Sequence, residues 1–117
     1  FPADAELQYQ AARVHDFLGR EAQAIPFYLT ALSSGSLSFE SRRSAYLGLG
    51  STYRALGQYP EAEHTLREGL AHFPEAAELT VFLAITLHNL GRSKQAVEIL
   101  LTVLAETSSD AQIQSYR

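Results

Sequence analysis

With 117 residues, 46% of them hydrophobic, the chain is long enough to bury roughly two thirds of its unfolded surface as a single domain, which argues against disorder. A formal net charge of -4 argues against a protein built to grip phosphate backbones, since that affinity comes from excess Lys and Arg. The absence of cysteine excludes a disulfide framework, a thiolate metal site and a Cys nucleophile.

In chain order, apolar residues at helical spacing predict helices near 3–18, 21–33, 38–56, 59–72, 75–90 and 93–106, with no strand signal. Pro26 lies several residues into the second, where it forfeits a backbone bond to Ala22 and is expected to bend the first turn. In SSGSLSFESRR, Gly35 can end that helix and Ser36 or Ser38 can cap the third. The third helix carries Tyr46, Leu47, Leu49, Tyr53 and Leu56 and stops at Gly57. The fourth opens at YPEAE, with Pro60 at a first helical position, Glu61 and Glu63 at the positive dipole end, and a buried face of Ala62, Leu66 and Leu70. Pro74 is expected to start the fifth helix in the same way. The apolar run around Leu79 to Leu87 is interrupted by Thr80 and Thr86 and falls short of the ~20 residues of a membrane span. After Glu106, TSSDAQIQSYR is expected to begin a separate helix capped by Ser108 or Ser109 that stops after about two turns. The chain opens FPADAEL with no methionine and no charged-then-apolar leader, so it reads as a piece of a longer, cytoplasmic product. Arg-rich, Lys-poor usage points to a bacterial source.

Two stretches repeat. LGSTYRALGQYPEAEHTLREGL from Leu49 and LAITLHNLGRSKQAVEILLTVL from Leu83 align at an offset of 34, which pairs Leu56 with Leu90, Gly57 with Gly91 and Ala62 with Ala96. An upstream copy, FLGREAQAIPFYLTAL, sets Gly19 and Ala24 against Gly57 and Ala62 at an offset of 38, four residues longer. FPADAEL and FPEAAEL, 72 apart, hold the same register. Such a period signals stacked helix-turn-helix units, and four residues is near one 3.6-residue turn, so the insertion leaves the inward face nearly unchanged.

In this register the sequence resembles tetratricopeptide repeats. Tyr46 stands at the tryptophan slot, Leu49-Gly50 at the Leu-Gly pair, Tyr53 at the tyrosine, Ala62 and Leu66 at the A-x3-F and Pro74 at the closing proline, with Gly69 at a small-residue position. The third unit keeps Leu83-Ala84, Leu87, Ala96 and Leu100 but has Thr80 at the aromatic slot. The first keeps Ala12, Ala24, Tyr28 and Ala31, with His15 at the tyrosine slot. The resemblance implies an all-α, right-handed superhelix of three helix pairs, at about 5–42, 43–76 and 77–110, plus a partial cap at 110–117. Small residues at Gly50, Ala62, Ala84 and Ala96 would let paired helices approach closely.

The resemblance further implies a non-catalytic interaction scaffold whose first helices line a concave groove for a peptide or extended protein segment. Carried over by slot, the groove holds Tyr9, Arg13, Asp16 and Phe17, then Leu47, Ser51, Arg54 and Ala55, then Val81, Ile85, His88 and Asn89. Arginines between apolar ends suit a segment with apolar anchors and a carboxylate. The bland alternative makes Phe17, Leu47 and Ile85 partly core and the arginines solvated. Some relatives clamp the acidic C-terminus of chaperones with lysines and asparagines; Tyr9, Arg13, Leu47 and Ser51 stand there instead, so that clamp is missing. No histidine pair has the HExxH spacing, and no phosphate loop or nucleophile elbow appears, so no enzyme activity, metal, cofactor, nucleic acid or membrane partner is expected. The Arg42-Arg43 pair reads as solvated. Ile99, Leu100, Val103 and Leu104 stand to remain partly bare at the end of the stack, which makes self-association as a homodimer the second reading.

Overall fold

A computed structural model describes residues 4–115 of the protein, with side chains through Glu106. Its helices are α1 (Ala5–Phe17), α2 (Glu21–Ser33), α3 (Phe39–Ala55), α4 (Tyr59–His72), α5 (Ala77–Asn89) and α6 (Ser93–Ser115), and no strand occurs among the described residues. Each adjacent pair along the chain packs together. In addition α1 packs on α3 and α3 on α5, whereas α2, α4 and α6 make no close backbone approach to one another among the described residues. The odd-numbered helices therefore form a contiguous inner row and the even-numbered ones splay apart outside it. That is the curvature of a helical repeat solenoid, and the radius of gyration, 15.6 Å, exceeds the ~13 Å of a compact domain of this size.

The helix ends follow from local chemistry. Asp4 caps α1, accepting from the amides of Glu6 and Leu7 at 2.9 and 3.2 Å, and Ser38 caps α3 through Ser41 N–H. The three inner helices share one exit. Gly57 adopts φ +76°, its N–H bonds to Arg54 C=O, and Gln58 N–H reaches back to Tyr53 C=O, closing a Schellman motif; Gly19 and Gly91 repeat it. One residue later the next helix begins, which fixes each pair as a tight hairpin.

Three expectations change. Pro74 does not start α5: it occupies a turn closed by Ala76 N–H on Phe73 C=O, and the helix begins at Ala77. Proline suits the second position of such a turn, and the motif reads the same in sequence either way. Gly35 does not take a left-handed conformation, because α2 ends where Ser34 becomes extended. The separate helix after Glu106 is absent, since α6 runs unbroken to Ser115. Ser108 and Ser109 lower helix propensity only slightly, and no Gly or Pro from Ser93 onward interrupts the backbone ladder. Pro26 lies inside α2, which continues through it to Ser33.

Two apolar clusters share α3. Ala45 and Leu49 join Ala5, Tyr9, Ala12, Ala24, Tyr28 and Ala31 of the first pair. Tyr46 joins Leu66, Phe73, Leu79, Leu83 and Leu87. Paired helices meet at small residues: Ala12, Ala24 and Ala62 are fully buried, and a Cβ on Gly50 would stand 2.6 Å from Leu66 Cδ2. Gly69 admits Tyr46 in the same manner, at 2.8 Å. Ala62→Leu is therefore expected to cost about 1–3 kcal/mol by overpacking, read as a lower urea midpoint; a parent-like midpoint would contradict the close approach.

Candidate functional site

The inner row places the predicted groove residues on α1, α3 and α5 but treats them unequally. Tyr9 is buried, its ring tilted against Tyr28 at 6.5 Å. Asp16 is occupied internally: it accepts from Tyr28 Oη at 2.5 Å and from Thr52 Oγ1 at 2.8 Å, tying α1, α2 and α3 at one point. Burial first, and then the Asp16 bond, push the Tyr28 hydroxyl well above the usual tyrosine range. Leu47 and Ile85 are half-buried, and Ser51 donates to its own helix at Gly48 C=O. Phe17, Ala55, Val81, His88 and Asn89 are exposed, Phe17 to 90%.

Both groove arginines are engaged through the guanidinium group. Arg54 Nε donates to Asn89 Oδ1 at 2.8 Å, linking α3 to α5, and Arg13 stands 5.7 Å over the Tyr9 ring. Among the described residues neither is paired with a carboxylate. Arg13 and Phe17 line a hollow of about 300 Å³ with Gln10, Val14 and Leu18, while Ile85 and His88 line another of about 240 Å³ with Val97 and Leu100. His88 Nδ1 lies 2.9 Å from Ser93 Oγ.

The arginine pair on α3 is not merely solvated. Arg42 donates to the carbonyls of Leu32 and Ser34 at 3.1 and 2.7 Å, closing the open end of α2. Arg43 forks onto Glu78 of α5, with Nε and Nη2 at 2.7 and 2.9 Å from its two oxygens. Neighbouring inner helices thus meet at separations of 35 or 36 residues, as in Arg43–Glu78, Arg54–Asn89 and Asp16–Thr52. A search for complementary pairs about one repeat period apart would have found them.

A second concavity escaped the sequence reading. Because the backbones of α2 and α4 make no close approach, a cleft of about 470 Å³ opens between them, floored by Tyr46, Leu49 and Tyr53 of α3 and rimmed by Glu61, His64 and Glu68. At the corresponding place one repeat on, Glu63 accepts from both Arg67 and Arg92 at 2.9 Å, strapping α4 to the start of α6. Among the described residues no helix is long and apolar enough to cross a membrane.

Comparison with known proteins agrees with this geometry. The family model described as tetratrico peptide repeat matches residues 5–115. The crystal structure of MamA protein superposes with a TM-score of 0.83 at 17% identity, covering 94% of this chain and 58% of that one. That likeness is one of fold, and the chain spans 58% of the length of the MamA chain. No curated protein matches.

Three carboxylates are held below their ordinary value of 4.5: Glu6 by the Ser38 amide and then the Ser41 hydroxyl, Glu78 by the Arg43 fork, and Glu63 because its bonds from Arg67 and Arg92 outweigh the opposing effect of burial. A lowered folded-state pKa contributes stability above the unfolded value, and that contribution is lost as pH falls through the folded value. Melting temperature is therefore expected to be insensitive to these groups near neutrality and to fall below about pH 4.5. Glu78→Gln should lower it at pH 7, with the gap from the parent closing on acidification; a gap that widens in acid would refute the assignment.

Proposed function

The chain belongs to the tetratrico peptide repeat family, and on that footing we propose that it is a non-catalytic scaffold whose inner face holds an extended segment of a partner protein. The observation that carries this reading is the pair of arginines, Arg13 and Arg54, each engaged at one point of its guanidinium and, among the described residues, left without a carboxylate. By contrast Arg43, Arg67 and Arg92 are already paired. With Nε engaged by Asn89, the two terminal nitrogens of Arg54 remain as an end-on fork for a carboxylate. Val81, Ile85 and Phe17 offer apolar anchorage on either side. The partner segment is accordingly an acidic residue flanked by apolar side chains, lying across the three inner helices. A bacterial, cytoplasmic setting belongs to the same proposal, and its bacterial part rests on the Arg-rich, Lys-poor composition alone.

An array of extended peptides with and without acidic residues tests it. The parent should retain acidic-apolar peptides, and Arg54→Glu should weaken them about tenfold or more while circular dichroism stays unchanged, the loss expected for one charged hydrogen-bonding group. Equal retention of neutral and acidic peptides, or an Arg54→Glu variant that binds as the parent does, would overturn the groove assignment.

A further inference from the structure

The cleft between α2 and α4 has no part in inner-face binding, and every residue that lines it falls between positions 29 and 68, inside the solenoid and away from its ends. One repeat on, the corresponding junction is strapped by a cation. There Arg92 donates from Nη1 to Glu63 Oε1 at 2.9 Å, and from Nε and Nη2 to Gln95 Oε1 at 3.1 and 2.7 Å, so a single guanidinium ties the start of α6 to α4. In the repeat register the same slots at the α2–α4 junction hold Gln58 for Arg92, Ile25 for Glu63 and Glu61 for Gln95. A neutral amide replaces the cation, and a carboxylate replaces the amide that the cation held.

The rest of the lining sharpens that imbalance. Glu61 and Glu68 line the cleft, no lysine or arginine does, and His64 is its basic member. Glu68 accepts from Tyr46 Oη at 3.2 Å and lies 4.0 Å from His64, whereas the carboxylate of Glu61 makes no hydrogen bond or ion pair among the described residues. The Arg42 guanidinium is already engaged by the carbonyls of Leu32 and Ser34. Burial first, and then the charge of Glu68, push the Tyr46 hydroxyl above its ordinary range, and burial and then Glu61 do the same to Tyr53. The floor is thus a partly desolvated, negative environment, where a cation gains more than it would in open water. The volume of about 470 Å³ lies within the ~300–1,000 Å³ of sites that enclose a bound group.

We propose that this outer cleft binds a segment of a partner protein that presents an arginine beside a large apolar side chain, the guanidinium meeting Glu61 and Glu68 and the apolar group resting over Leu29, Leu49 and Tyr53. The occupant supplies from outside the cation that Arg92 supplies from within at the next junction. The inner face carries the opposite sign, through Arg13 and Arg54, so each surface rejects the segment suited to the other. The proposal goes beyond inner-face binding and does not rest on it.

The chain has no tryptophan, so an end-blocked peptide with a single Trp reports alone. Hexapeptides with Trp beside Arg, Gln or Asp in an otherwise Gly-Ser sequence are titrated with the full chain to about 1 mM, in about 0.15 M salt to screen distant charges. Emission of the Trp-Arg peptide should shift to the blue and saturate, with the Gln peptide about tenfold weaker and the Asp peptide weaker still. Glu61→Gln should weaken the Trp-Arg peptide about fivefold or more, while Glu98→Gln, which removes an exposed carboxylate outside the cleft, should not. Leu29→Lys, at a position 47% exposed, should abolish binding with circular dichroism unchanged. Arg54→Glu should leave this peptide's affinity unaltered, and Glu61→Gln should leave the acidic-apolar peptides of the inner face unaltered, so the two sites fail separately. Binding that ignores the exchange of Arg for Gln, equal losses from Glu61→Gln and Glu98→Gln, or no saturable shift by about 1 mM would each overturn the proposal. So would free tryptamine bound as tightly as the peptide, which makes the site one for small amines, or a dimer of the chain that Glu61→Gln dissolves, which makes a second copy the occupant.

Discussion

Everything in this fold depends on how closely two helices of a pair can approach. Ala12 and Ala24, both fully buried in one cluster, and Gly50 against Leu66 let the backbones come together where a larger side chain would hold them apart. With each pair closed tightly and joined by a short Schellman exit, the inner helices α1, α3 and α5 touch in succession while the outer helices diverge. Curvature, the inner face and the outer cleft are therefore consequences of one steric allowance, repeated at fixed spacing.

Polar side chains then set how successive pairs stand on one another. Asp16 receives hydroxyls from two other helices, Arg42 closes the exposed end of α2, and Arg43 spans from α3 to α5 with both arms of its fork. These groups are half-buried, and an exposed pair of the same kind would contribute little. Their directionality matters more than their energy, because apolar packing alone tolerates rotation about a junction whereas a bidentate pair does not. The same geometry separates the arginines already engaged in the solenoid from Arg13 and Arg54, whose terminal nitrogens remain available on the inner face.

The helices were largely legible, and the reasons are local. Gly57 and Gly91 mark helix exits because a left-handed residue is needed there, and the apolar positions of α3 and α4 recur at 3.6-residue spacing. Two of the three boundary errors have the same origin: Pro74 is equally at home in a helix start and a turn, and Ser108-Ser109 resembles a cap without any residue that breaks the preceding helix. At the candidate site the inner helices were legible and the state of each side chain was not. Tyr9 and Asp16 occupy groove slots in the repeat register, yet one is packed into the core and the other is consumed by Tyr28 and Thr52.

By itself the sequence determined the helix content, the 34-residue period and the family, because each is written in contacts and conformations that span a few residues or recur at fixed spacing. Only the tertiary structure decided which charges are paired, which inner-face groups stay free, and where α2 and α4 part to open a cleft. The contacts between inner helices join residues 35 or 36 positions apart, and whether two such side chains meet depends on the angle at which whole helices cross, which no local pattern specifies.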